Sequence, residues 1–295
     1  MITPSASASA SGSASTASAA DVPAGAAPGA LPSTLGLGMS RSMLELRAFF
    51  RERDSMVFTF AFPVIMLFIF GSAFGSGEIA PGVTFTQYFA AGMIASGVVL
   101  SSFQSLAIGI AIERDDGTLK RLRGTPMPAA AYFLGKIGLV LISSVVQTVI
   151  LLVVGTALFG LDLPDTVDLW TRFAWIFLLG STAGTVLGIA YSSVPRSARS
   201  AGAVVSPVVI VLQFISGIFF VLDQLPGWMV NLGSVFPLRW LAQGMRSVFL
   251  PAEFEQAEVG GSWMLGQTAA VLAGWSVIGL LLCLWTFRWA RRGDR

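Results

Sequence analysis

Histidine is missing from the sequence altogether. That removes the commonest general base, the commonest metal ligand and the usual base of a serine hydrolase. Cysteine occurs once, as Cys283 inside an apolar run, so no intramolecular disulfide can form and compartment cannot be read from pairing. Charge is scarce: 12% of residues are Asp, Glu, Lys or Arg, against about 25% in soluble domains. The phosphate loop G-x-x-x-x-G-K-S/T is absent, and Gly135-Lys136 lacks both its earlier glycine and its following hydroxyl residue. The chain is therefore not a standard ATPase by itself. It shows no metal-ligand cluster and no nucleophile–base–acid constellation, and it is not expected to be an enzyme. A membrane enzyme acting on lipid would need a His, Asp or metal arrangement that is not there.

What is present is apolar. Hydrophobic residues make up 54% of the chain and mean hydropathy is +0.76. These values describe an all-α polytopic membrane protein. Six apolar runs cover about 56–75, 87–112, 137–160, 173–193, 203–222 and 264–287. Each reaches the ~20 residues that a ~30 Å hydrocarbon core requires. None contains Asp, Glu, Lys or Arg, and Pro63 and Pro207 are tolerable kinks in a bundle. Ion-coupled carriers keep ionisable groups inside the membrane, so these uncharged spans argue against an ion-coupled secondary transporter. Energy for any transport should arrive from outside the bilayer.

The net charge of +2 says little, but its placement says more. With both termini inside, every basic residue except Arg172, Arg239 and Arg246 falls in an inside segment. The outside segments hold Glu78, Asp162, Asp165, Asp168, Asp223, Glu253, Glu255 and Glu258. This bias predicts a multi-pass protein of the cell membrane with both termini cytoplasmic.

The flanks differ from the spans. Residues 1–38 are rich in Ser, Ala, Gly and Pro, with Asp21 the only charge, and are expected to be disordered. Residues 39–55 place Met43, Leu46, Phe49 and Phe50 at three-to-four spacing, away from most of the charges. That pattern suits an amphipathic helix in the interface. The segment 223–263 is too apolar for a free loop and too broken for two spans. Short helices dipping into the outer leaflet fit it, with Trp228 and Trp240 suited to the interface. Gly180, Gly184 and Gly188 stand at four-residue spacing, which lets helices pack closely within or between chains.

Neutral polar residues interrupt some spans. Ser101, Gln104 and Ser105 lie together on the second, Gln147 on the third, and Ser206, Gln213 and Ser216 share a face of the fifth. They serve either as interhelical hydrogen bonds or as a weakly polar substrate path. Phe214, Phe219 and Phe220 could close that path across a dimer axis.

The most charged stretch runs from Glu113-Arg-Asp-Asp-Gly-Thr-Leu-Lys-Arg-Leu-Arg123 through Thr125-Pro126 and Pro128 to Gly135-Lys136. A basic inside loop accounts for its Arg and Lys residues but not for Glu113, Gly117-Thr118-Leu119 or Thr125-Pro126. A docking helix accounts for them. Asp115 or Asp116 can cap Thr118 onward, Leu119 and Leu122 lie three apart as apolar knobs, and the prolines stiffen the return.

This stretch resembles the signature of ABC-2 type transporter permeases, most closely the daunorubicin-resistance type. Leu225-Pro226-x-Trp228, Pro237-Leu238 and Arg246 add to the resemblance, which covers about residues 40–292. It implies the six-helix type V exporter fold, with two permease halves, identical or paralogous, joined to two separate ATP-binding subunits. ATP and magnesium would be bound by those subunits and no cofactor by this chain. The coupling helix would lie in Glu113–Arg123, comprising Glu113, Gly117, Thr118, Leu119, Lys120, Arg121, Leu122 and Arg123. Residues 39–55 would be the connecting helix and 226–250 the re-entrant helices. Membrane lipid, and no nucleic acid, is expected among the partners. The family exports drugs, antibiotics, lipids or polysaccharides. The uncharged path favours an amphipathic drug-like or lipid-like compound over a polysaccharide or other envelope component.

Overall fold

A computed structural model describes residues 33–75 and 77–286. The disorder expected of residues 1–32 and the basic residues from Arg288 onward lie outside that range. The described part is helical apart from one small ribbon. The amphipathic helix α1, Thr34–Arg51, begins inside the segment expected to be disordered, so residues 34–38 are ordered instead. It ends at Glu52, where α2 takes over as Arg53–Phe74 and passes through Pro63 without breaking. The antiparallel strands β1, Glu78–Ala80, and β2, Val83–Thr84, then turn the chain back.

The second span is a composite. Helix α3 is Phe85–Val99, followed by a π-helical turn at Leu100–Gln104 and by α4 at Ser105–Asp115. Thr84 and Gln87 cap its start reciprocally, the Gln87 amide N–H reaching Thr84 Oγ1 at 3.3 Å and the Thr84 amide reaching Gln87 Oε1 at 3.0 Å. The short helix α5 is Thr118–Arg123 and α6 is Ala129–Phe159, closed by left-handed Gly160. Helix α7 is Val167–Tyr191, capped by Thr166, and α8 is Ala198–Ile215, capped by a Ser197–Ser200 box. Helices α9, Gly227–Val235, and α10, Pro237–Phe249, precede α11, Leu265–Thr286.

Five of these segments are long and apolar enough to cross a membrane: 85–115, α6, α7, α8 and α11. The sixth expected span is α2, whose apolar part, Thr59–Phe74, is shorter. The composite α3–α4 is the central element, buried on nearly every side from Thr86 to Gln104. The other spans bury a stripe against it and leave apolar residues such as Val153, Ile210 and Leu281 exposed. Side chains that face lipid need no polar cover, so this inside-out appearance is what a bilayer solvent allows.

Helix α10 presents no free face: every residue from Leu238 to Phe249 is buried, packed among α3, α7 and α11. Trp228 is exposed, but Trp240 is buried, its indole N–H donating to Ser234 O at 2.7 Å beneath the Arg239 guanidinium. Fully buried Arg246 makes a two-pronged pair with Glu258, at 2.8 and 3.0 Å, and stacks on Tyr88. A charge buried this deeply persists only when paired. The three glycines of α7 settle their own question: their partners are in the same chain. A Cβ at Gly180 would strike Leu241, and one at Gly184 would strike Ser102. One at Gly188 would stand 2.9 Å from the carbonyl oxygens of Ser102 and Phe103.

Candidate functional site

The charged stretch folds as a bracket under the second and third spans. Helix α4 ends at Asp115, and Gly117 takes φ +79°, a left-handed turn that glycine makes without strain. That turn restarts the chain as α5 in a new direction. Gly117 is the N-cap, and Asp116 just before it, rather than Asp115, accepts the Thr118 amide at 2.8 Å. Asp115 reaches across to the start of α8 and accepts the Ala198 amide at 2.8 Å. The two adjacent acids thus tie one corner to two helix N-termini, where the dipole favours negative charge.

Leu119 is not a knob offered outward. It is 1% exposed and packs with Leu106, Ile110, Tyr132 and Val140, with Leu122 against the same cluster. These leucines anchor α5 to its own membrane helices. The face left outward is basic, formed by Lys120, Arg121 and Arg123. Arg121 donates to Thr118 Oγ1 at 3.1 Å, so part of that face is held in place.

Glu113 also faces inward. It accepts from the Tyr132 hydroxyl at 2.7 Å and from Lys136 Nζ at 2.5 Å. Lys136 donates in addition to Glu45 of α1 at 2.8 Å, and Glu45 pairs with Arg41 one turn away. Arg41 also stands 3.7 Å from Glu113, and both cations lie over the Tyr132 ring. Two cations and two carboxylates from α1, α4 and α6 therefore meet in one network, in which Lys136 is only 3% exposed. Helices α1 and α6 can approach because their contact is made of small residues. A Cβ at Gly135 would run into Arg41 and one at Gly138 into Ser42. Gly135-Lys136 thus combines a close approach with an ion bridge. Arg41, Glu45 and Tyr132 escaped the sequence reading. The available signal was Arg41 and Glu45 at i, i+4 on the side of α1 that also carries Leu46.

Next to the network opens a cleft of ≈ 260 Å³ between α1, α2, the second span and α6. Glu45, Glu52, Glu113 and Lys136 line one part of it. Ser101, Gln104, Ser105, Thr59 and Ser143 mix with Phe49, Ile108 and Leu139 in the rest. The path residues of the second span are thus gathered here, but those of the fifth are not. Gln104 touches Ser206 at 3.4 Å, whereas Gln213 is buried elsewhere and donates to Ser96 Oγ at 2.8 Å. Ser216 is buried at the end of α8. Phe214 packs on Phe219 with tilted rings 4.9 Å apart, and Phe219 is buried against Phe70 and Phe89 of its own chain. Phe219 is therefore not a residue for a dimer axis, while Phe214 and Phe220 remain exposed. Ser101, 2% exposed, brings a hydroxyl oxygen without a hydrogen-bond partner to the cleft lining. Among the described residues no three His, Cys, Asp or Glu side chains stand together as metal ligands would.

The π-helical turn explains how the second span serves both sides. Its Ser101 and Gln104 line the cleft, while Ser102 and Phe103 face the glycines of α7. One extra residue in the turn shifts the phase between α3 and α4.

Comparison with known proteins bears on this arrangement. A family model described as ABC-2 type transporter matches residues 40–250. No curated protein matches the chain.

Proposed function

The chain belongs to the ABC-2 type transporter family, and from that premise we propose that it is the permease of an ATP-driven exporter whose ATP-binding subunit docks on α5. Two copies of that subunit and two permease halves complete the transporter, in the cell membrane with both termini cytoplasmic. The observation that carries the reading is the bracket. An outward basic helix is anchored by Leu119 to the second and third spans, and those spans are clamped through Glu113, Lys136 and Glu45 to α1. A push on α5 would reach α4, α6 and α1 together. Closure of the motor subunits on ATP would so be passed to the cleft and alternate its access.

The cleft supports an amphipathic drug-like or lipid-like cargo, because acidic, hydroxyl and aromatic side chains share its lining. Carboxylates from α1, from its junction with α2 and from the end of α4 line one margin of this cleft, beside the neutral polar residues.

The test is co-purification with the ATP-binding subunit, together with ATP-driven uptake into inverted vesicles. Replacing Lys120, Arg121 and Arg123 together by Glu should abolish both while leaving the amount of permease in the membrane unchanged. Association that survives the charge reversal rules out α5 as the docking element. Uptake driven by a proton gradient without ATP would support a secondary transporter instead.

A further inference from the structure

A second concavity, of ≈ 220 Å³, lies on another part of the molecule. Val208 and Leu212 of α8 form one wall, and Leu272, Trp275 and Leu282 of α11 form the other. The floor is Gly180, Gly184, Leu187 and Ala190 of α7, with Val99 and Phe103 of the second span and Leu241 of α10. Phe236 and Pro237 roof one end, fixed there by the stack of Phe236 on Trp275 and by the bond from the Trp275 indole N–H to Val235 O at 2.7 Å. Tyr191 stands at the other end, where Thr286 reaches the Ala190 carbonyl. No Asp, Glu, Lys, Arg, Asn or Gln is in the lining.

We propose that this groove holds one acyl chain of an anionic phospholipid as a resident ligand. Its length fits: Gly180 to Tyr191 is eleven helical steps, about 16 Å, or roughly one leaflet of a ~30 Å hydrocarbon core. Its chemistry fits, because a lining without polar partners accepts hydrocarbon and nothing that needs hydrogen bonds. The surface beside it, with Val277, Ile278 and Leu281 exposed, faces lipid, so a chain can enter sideways. Charge fits as well. Just beyond Tyr191 in the chain, Arg196 of the connection and Arg199 in the first turn of α8 are both exposed, a basic pair that would attract an anionic headgroup of that leaflet. The cleft of the exporter reading opens against α1, α2 and α6 and shares no lining residue with this groove, so this site does not depend on that reading.

The purified full chain in nanodiscs is the test, with phosphatidylglycerol or phosphatidylcholine carrying a photoactivatable group on the acyl chain. Adducts are mapped by mass spectrometry. Adducts should concentrate on Val208–Leu212, Leu187–Tyr191 and Trp275–Leu282 above the exposed α6 face at Val145, Val149 and Val153. Leu212→Trp should remove that excess and Val149→Trp should not. Phosphatidylglycerol should label the groove at least about fivefold better than phosphatidylcholine, and Arg196→Gln with Arg199→Gln should erase the preference. Labelling no higher than on α6 overturns the site, as does cross-linking of the groove to a second copy of the chain. Labelling that ignores headgroup charge overturns the anionic assignment. The wild-type map requires no variant, so a failure of Leu212→Trp to fold leaves the proposal decidable.

Discussion

Lys136 sits between Glu45 and Glu113 with almost no exposure, and that geometry sets what its loss does. Removing one partner of a buried pair leaves uncompensated charge, at a cost of about 3–5 kcal/mol. Lys136→Ala should therefore lower the thermal midpoint of the purified permease sharply, because two carboxylates then face each other with only Arg41 between them. Converting these three groups to neutral ones, as Glu45→Gln, Glu113→Gln and Lys136→Met, should recover part of that stability, since the one charge left, Arg41, is 18% exposed and neutralising buried pairs is often near neutral. If the triple variant is as unstable as Lys136→Ala, the charges are not what links α1 to α4 and α6. The contrast carries function too. The recovered triple variant keeps its fold but loses the ion bridges from α1, so its ATP hydrolysis should become uncoupled from transport. That is read as turnover of ATP without uptake into vesicles. The motif Glu113…Gly135-Lys136 was legible in the sequence as a signature. Its physical reason was not, because Glu45 lies 91 residues from Lys136 and no local pattern joins them.

The element that most repays attention is the π-helical turn, because α7 is shaped around it. Gly188 meets backbone carbonyl oxygens of Ser102 and Phe103, which cannot move aside as a side chain tip could. Gly188→Ala should therefore destabilise, by roughly 1–3 kcal/mol, the range for overpacked sites. Gly202 of α8 has nothing within 4 Å of an added Cβ. Gly202→Ala should be neutral or stabilise by up to about 1 kcal/mol through helix propensity. Thermal midpoints of the two variants measured side by side check this, and equal effects would remove the steric account. Here the sequence was informative in part. Gly180, Gly184 and Gly188 announced close packing because four-residue spacing is a local signal. The π turn they accommodate left no such signal, since Ser101, Ser102 and Gln104 mark a polar interruption of the span and not a change in its helical hydrogen bonding. The knobs Leu119 and Leu122 were placed on a helix correctly but faced inward. A six-residue helix fixes spacing without fixing which side its partner is on.

At the scale of the whole molecule, the spans were legible because hydropathy and charge accumulate over twenty residues and need no tertiary contact. What lay between them was less so: α10 carries Arg239 and Arg246 yet is buried, because Glu258 neutralises one and the ring of Trp240 covers the other. The same two arginines are exceptions to the charge bias that sets the orientation, and Arg172 is the third, bonded to Ser247 O at 3.1 Å and to Asp168. All three are held by protein groups near α10, so they need not count as free positive charge when the chain chooses its sides. Orientation should then follow the remaining basic residues, with 116–128 and 192–197 inside and 160–166 and 250–264 outside. Cys283 is buried and gives a nearly silent background for labelling. Single cysteines at exposed positions can be read against it. Asp162→Cys and Gln256→Cys should react with a membrane-impermeant maleimide in intact cells, whereas Thr125→Cys and Val194→Cys should react only after permeabilisation. Reaction of Thr125→Cys in intact cells would place α5 on the wrong face for any ATP-binding subunit and would remove the docking role along with the orientation. A mixed pattern, with Asp162 outside and Gln256 inside, would mean that α7 or α8 does not cross, and the side on which Val194→Cys reacts tells which. The four positions together therefore separate an error in orientation from an error in the number of spans.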